Sequence, residues 1–211
     1  MITSGFLIAV EGVDGAGKRT QVSGLQTAFE AMGLEVVTYS FPDYAHSFLG
    51  KTVQSMLMGE FGPATEIHPV LSATLFSVER SEKGKQIQSD LASGKLVICD
   101  RYVYSNVAHQ ACRLPVNERR TFQTWVEGLE FDILGLPRPS ATILLDVLDD
   151  EAERRRTSRS IAAQGTRPLD QYERDEVGLA TARTIYQKLA SDFQWIRIPA
   201  FGNSPATITQ N

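Results

Sequence analysis

Apolar residues along this chain follow two rhythms. Short, nearly continuous apolar runs alternate with longer stretches in which apolar residues return every three or four positions. The first run, Phe6-Leu7-Ile8-Ala9-Val10, predicts a strand buried on both faces. The stretch after it carries Val22, Leu25, Phe29 and Met32 at helical spacing and is stopped by Gly33. A second strand is predicted over Glu35–Phe41, ended by Pro42. Ser47–Gly59 reads as a helix with Leu49, Val53 and Leu57 on one face, and His68–Ala92 as one long helix before Gly94. Lys95–Asp100 is the third strand, and Tyr104–Cys112 a short helix. After Pro115 a helix brings Phe122, Val126, Leu129 and Ile133 into register, and Ala141–Val147 is the fourth strand. A helix from Pro168 to Asp192 leads to a fifth strand, Trp195–Ile198, and Ser204-Pro205 predicts a short terminal helix. Strands separated by helices imply an open α/β/α sheet with parallel strands and right-handed crossovers, which binds ligands at the strands' carboxyl ends.

Composition narrows the picture. A chain of 211 residues with 42% hydrophobic residues suits one domain with a substantial core. The net charge of −4 gives no general attraction to nucleic acid or to an anionic membrane, so any basic site must be local. Cys99 and Cys112 lack metal spacing, and Cys99, inside an apolar run, reads as a buried free thiol. No run approaches a membrane span, and the first run is short and lacks a basic flank, so a cytoplasmic location is expected.

The chemistry concentrates between the first strand and the first helix, in Gly12-Val13-Asp14-Gly15-Ala16-Gly17-Lys18-Arg19-Thr20. Glycines let the backbone turn several N–H groups inward at an anion, and the helix N-terminus adds its dipole. Lys18 stands where a phosphate-loop lysine reaches the outer phosphates of a nucleotide. The pattern departs at Arg19, which occupies the place of the hydroxyl residue that normally holds magnesium; Thr20 follows it. The fold class is therefore a P-loop NTPase-type three-layer α/β/α domain with a five-stranded parallel sheet. Asp100, at the end of the third strand, reads either as an acceptor for a magnesium shell or as a cap on the next segment. Arg101 beside it reads either as a phosphate fork or as a surface ion pair.

FLIAVEGVDGAGKRTQ, FPDY, ATLFSVER, ICDRYVYSN and DQYERD together resemble the thymidylate (dTMP) kinase family, in its actinobacterial form with the GKRT loop, over nearly the whole chain. The resemblance implies transfer of the γ-phosphoryl group of ATP to dTMP with Mg2+. It implies ATP on the loop residues Gly12 to Thr20, and a metal held by Asp14, Asp100 and Glu173. Phe76 would stack on thymine and Arg80 would bond the base edge, and their i, i+4 spacing permits this on one helix face. Ser105 and Asn106 would offer polar contacts to the thymine edge. Leu57 would wall the pocket, Phe41 and Tyr44 would close over the acceptor, and Tyr172 would approach the deoxyribose. Asp14 would serve both nucleotides, and Arg101 would grip the acceptor phosphate.

His109 stands where GKRT-loop forms tend to carry a tyrosine that crowds the sugar. A histidine fills space but can titrate, and a helix-surface imidazole is an equal reading. Some members place a catalytic arginine inside the phosphate loop; here Gly15 takes that position. The charge must then come from an arginine-rich lid at residues 150–168, with Arg155, Arg159 and Arg167 as candidates. The plainer alternative is a solvated helix with a Glu151–Arg155 surface pair. The resemblance also implies a homodimer through apolar helix faces, either Phe122–Ile133 or the long helix near Leu75.

Two rival readings are a kinase for another nucleoside monophosphate and a GTP-dependent switch. The second has only Asp132-Ile133-Leu134-Gly135 in its favour, inside a helical pattern and without a guanine motif.

Overall fold

The computed structural model describes residues 5–162 and 169–199, and the expected helix at Ser204-Pro205 lies outside them. Five strands form one parallel sheet: β1 (Phe6–Glu11), β2 (Val36–Ser40), β3 (Leu96–Asp100), β4 (Ala141–Asp146) and β5 (Ile196–Pro199), in the order β2-β3-β1-β4-β5. Helices between them are α1 (Lys18–Ala31), α2 (Phe48–Met58), α3 (Pro69–Ser81), α4 (Gly84–Ala92), α5 (Val103–Ala111), α6 (Arg119–Glu127), α7 (Asp149–Ala162), α8 (Gln171–Arg174) and α9 (Glu176–Asp192).

Alternation along β1 feeds two cores. Leu7 and Ala9 pack with Val97, Cys99, Phe122 and Val126 on one face, while Ile8 and Val10 pack with Val22, Ile98, Leu144 and Tyr186 on the other. Cys99 is fully buried and free, as expected. Register sets Val10 beside Asp100, so the phosphate loop after β1 opens next to Asp100-Arg101. The chain enters β2 and β3 on one side of β1 and β4 and β5 on the other. The crevice where strand order reverses lies at the carboxyl end of β1.

Three expected helices differ. The stretch from His68 to Ala92 is two helices, because Glu82 and Lys83 bond tightly back to the carbonyls of Glu79 and Arg80 and Gly84 follows. The segment from Pro168 to Asp192 is broken by two caps. Asp170 accepts from Glu173 N at 2.8 Å and Asp175 from Gly178 N at 2.9 Å. Beyond α6 the chain widens into a π-helical turn, Gly128–Ile133. This rotates the helical face. Glu130 and Phe131 turn inward, and Ile133, expected in register with Phe122, is 77% exposed. Phe122 and Val126 are core within the chain, which removes them from any dimer face. Among the described residues, no helix is long and apolar enough to cross a membrane.

Candidate active site

The loop after β1 is bent by glycines at φ +88° (Gly15) and φ +87° (Gly17), a region closed to most side chains. Gly15 has a second reason to be glycine: a Cβ there would lie 2.3 Å from the Ala152 carbonyl of α7. Helix α7 is thus seated directly on the loop. Lys18 is buried and turns back, its Nζ donating to Gly12 O at 2.9 Å and Val13 O at 3.0 Å. Burial, then the charge of Arg101, pushes its ammonium down to about 8, against the pull of Asp14. Val13 and Ala16 are buried and offer backbone, while Arg19 and Thr20 are exposed at the cleft mouth.

Arg101 adopts φ +66° immediately after β3, which folds its side chain back over the loop. Its Nη2 meets Asp14 Oδ1 at 2.6 Å, and its Nη1 donates to Gly12 O at 3.3 Å and to His109 Nε2 at 3.1 Å. Burial would raise the Asp14 carboxyl, but Arg101 and Lys18 outweigh it and hold the group well below the usual carboxylate range. Since guanidinium only donates, His109 accepts through Nε2 and carries its proton on Nδ1. Burial, reinforced by Arg101, pushes His109 down to about 3. His109 therefore belongs to the cleft rather than to a helix surface, and it stays neutral through the physiological range.

At the other end of the cleft, α3 and α5 present Phe76, Arg80 and Asn106 together. Arg80 is buried, lies over the rings of Phe41 at 4.9 Å and Tyr102 at 5.7 Å, and donates Nε to Glu130 Oε2 at 2.8 Å. Asn106 Nδ2 donates to Ala73 O at 3.0 Å, Ser77 Oγ at 3.1 Å and Glu130 Oε1 at 2.9 Å. Three buried atoms on residues that line the cleft have no partner: Arg80 Nη1, Asn106 Oδ1 and Gln110 Nε2. Leu57 is buried beneath this end with Val53 and Met56, packed against Tyr44, Phe76 and Tyr172. The cleft holds about 870 Å³ and runs unbroken from the phosphate loop to this pocket.

Several expected roles change. Ser105 spends its hydroxyl proton on Glu11 Oε2 at 2.5 Å and accepts from Tyr186 at 2.9 Å, so it supports the buried Glu11 rather than offering a free group to a base. Phe41 is 3% exposed and stacked on Tyr39, so it is a fixed wall and not a closing flap. The Tyr172 hydroxyl is held by Arg113 at 2.6 Å and donates to Gln110 at 3.1 Å. The Glu173 carboxylate closes the capping box of α8, accepting from Asp170 N at 3.2 Å. Asp14, Asp100 and Glu173 line one cleft but do not converge. Among the described residues there is no group of three or more His, Cys, Asp or Glu able to hold a metal ion.

On α7, Arg155 lines the cleft and donates Nε to Glu151 Oε1 at 2.7 Å, so the expected pair with Glu151 forms at the cleft wall rather than on a solvated face. Its neighbour Arg156, which drew no attention in the sequence, is 4% exposed and donates Nη1 to Asp14 O at 2.9 Å. Arg159 has no described side chain, and Arg167 lies outside the described residues. Glu11 and Glu130, both fully buried, are the other site-building residues missed. Glu11 ends an apolar strand, a signal that could have been read; Glu130 looked like the polar face of a helix. The Asp132–Gly135 stretch ends the π turn, with Asp132 paired to Arg138 at 3.2 Å, and has no part in the cleft.

A phosphate loop and a base-sized polar pocket facing each other across one cleft, on a 2-3-1-4-5 sheet, define a P-loop phosphotransferase. A match to the family described as thymidylate kinase spans residues 10–207. Thymidylate kinase of Mycobacterium tuberculosis is 40% identical over 187 residues, covering 88% of this chain and 86% of the relative. A probable thymidylate kinase of Pyrococcus horikoshii is 34% identical over 201 residues, covering 92% and 87%. The solved structure of thymidylate kinase from Candida albicans superposes with a TM-score of 0.73 at 23% identity, over 98% of this chain and 88% of that one, and shows the shared fold. The chain belongs to the thymidylate kinase family.

Proposed function

We infer that this chain moves the γ-phosphoryl group of ATP to dTMP, giving dTDP and ADP on the route to dTTP. The observation that carries the acceptor is a pair of buried, unpartnered atoms on two residues of the cleft wall, Arg80 Nη1 and Asn106 Oδ1. Buried polar atoms without partners are costly, and a base supplies them. A donor beside an acceptor matches thymine, whose O4 accepts and whose N3–H donates. Cytosine reverses both. Phe76, half-buried beside them, offers its face for stacking.

Between loop and pocket, we assign Arg101 to the acceptor phosphate and Lys18 to the donor phosphates. Cations would then line the transfer path between the two nucleotides, which is most of what phosphoryl transfer asks of a protein. The acceptor is already a phosphate oxygen, so no general base is required. We assign the lid role to α7, with Arg155 and Arg156 as the arginines that lie against the phosphate loop and Arg159 and Arg167 as further candidates. Closure there would exclude water and limit ATP hydrolysis.

The absence of a three-ligand cluster among the described residues suits a Mg2+ that would arrive with ATP, where it would supply charge neutralisation on the phosphates. Asp14 and Asp100 are the carboxylates that would hold it, and the capped Glu173 is not among them. We also propose a homodimer, supported by Leu71, Val78 and Trp125, which remain exposed on α3 and α6, and a cytoplasmic site of action.

A coupled assay comparing dTMP, dUMP, UMP, dCMP and AMP tests the reading. dTMP should turn over best; preference for AMP or dCMP would overturn it, and tight GTP binding without transfer would favour a switch.

A further inference from the structure

Glu130 reaches the buried side of Arg80 and Asn106, behind the cleft wall, because the turn that carries it is π-helical. It is fully buried, and its two oxygens divide between the two groups that face the base. Oε2 accepts from Arg80 Nε at 2.8 Å; Oε1 accepts from Asn106 Nδ2 at 2.9 Å and from the Ser77 hydroxyl at 3.0 Å. An amide side chain can present either its oxygen or its nitrogen, and its surroundings decide which. Here the acceptors Ala73 O and Glu130 Oε1 hold the nitrogen, so the oxygen is left without a partner, buried in the cleft wall. The same carboxylate occupies Arg80 Nε and leaves the buried Nη1 without a partner in the cleft wall.

We propose that Glu130 is the positioning residue for base selection: it orients Asn106 and Arg80 so that the cleft shows an acceptor to N3 and a donor to O4. It touches no substrate itself. Pyrimidines carrying N3–H fit, and cytosine meets like against like at both positions. The inference rests on the reading of this pocket as the dTMP site.

Glu130→Gln tests it. Arg80 Nε demands the oxygen of the new amide, which turns its NH2 toward Asn106 Nδ2 and sets donor against donor. Asn106 then loses its fixed orientation. The ratio of kcat/KM for dTMP over dCMP should fall about tenfold or more. The ratio for dTMP over dUMP should hold within about twofold, since these share the N3–H/O4 edge and differ only at C5. In an Asn106→Ala background, Glu130→Gln should change discrimination no further. If both ratios stay constant while all rates fall together, Glu130 is a structural residue and the proposal fails. If Glu130→Gln does not fold, Glu130→Asp carries the same readouts, with a fall of about threefold expected because the shorter acid cannot serve both partners. A wild-type protein without preference for dTMP over dCMP overturns the dTMP reading itself. A preference that Glu130→Gln leaves intact overturns only the positioning role.

Discussion

Arg101 Nη2 sits 2.6 Å from Asp14 Oδ1, and this ion pair ties the turn after β3 to the phosphate loop after β1. The two residues are 87 positions apart in sequence and side by side because β1 and β3 are hydrogen-bonded neighbours. The pair is shielded from solvent on most sides and charge-assisted, so it orients Arg101 rather than merely neutralising it. The turn after β3 and the glycine-rich loop after β1 are thereby one unit.

Asp14→Asn removes the charge that orients Arg101 and a carboxylate near the phosphates. Activity should fall about a hundredfold. Thr20→Ala, at an exposed site at the start of α1, should cost less. Magnesium titrations of both variants check the order, and a larger loss in Thr20→Ala would count against a carboxylate-held ion.

Arg156→Ala removes the bond to Asp14 O and leaves α7 poorly seated on the loop. We expect kcat to drop about tenfold or more, with KM for dTMP little changed, because the contact lies on the ATP side. Arg155→Ala should leave the seating of α7 intact and act on turnover alone. Limited proteolysis of α7 separates the two, with faster cleavage expected only for Arg156→Ala.

Gly15→Ala forces a side chain into a left-handed turn and against the Ala152 carbonyl. The backbone term alone costs about 1 kcal/mol, and the clash displaces either α7 or the loop. ATP affinity should weaken by about tenfold or more while the far-ultraviolet circular dichroism spectrum is retained. Wild-type ATP affinity in this variant would show that α7 does not rest on the loop in solution.

Lys18, lowered to about 8 by burial and by Arg101, is partly neutral in the free protein at mildly alkaline pH. Bound phosphates favour its charged form. ATP binding should therefore take up protons near pH 8.5 and weaken as pH rises further, by up to about tenfold per unit. Calorimetric titration in two buffers of different ionisation heat measures the uptake; none at pH 8.5 would refute it.

Asp170 is raised to about 6 by burial, with the Asp14 charge adding to it. A carboxyl whose folded value lies above its unfolded one binds protons more tightly in the folded state. Its ionisation therefore destabilises the fold in full above about pH 6, and the cost fades as pH falls from about 6 to about 4 and is absent below that. Asp170→Asn keeps a capping oxygen and removes that cost. Its side chain is partly exposed, so the gain should be about 1 kcal/mol at pH 7.5, a rise of about 3 °C in Tm that vanishes at pH 4. A variant less stable at pH 7.5 would show the cap outweighing the charge.

Sequence by itself determined the strands, the loop from Gly12 to Thr20 and the candidates Asp100, Arg101, Phe76, Arg80 and Asn106. The strands, the loop, Asp100 and Arg101 are announced locally, by an apolar run, a glycine pattern or a strand end, whereas Phe76, Arg80 and Asn106 stand out only through the resemblance of their motifs to a known family. Tertiary structure decided the rest. Helix breaks at Lys83 and Asp175 depend on short-range backbone bonds and caps that a three-to-four-residue rhythm does not show. Arg156 differs from Arg155 by one position, about 100° around the helix, and only the seating of α7 on the loop turns it inward. His109 could be surface or site until β1 and β3 set Arg101 over Asp14. Glu130 looked solvent-facing because its spacing was read at 3.6 residues per turn, whereas the π turn winds more loosely and carries it into the core. Periodicity specifies which faces are apolar; which polar group meets which partner follows from how strands are ordered and how helices are seated on them.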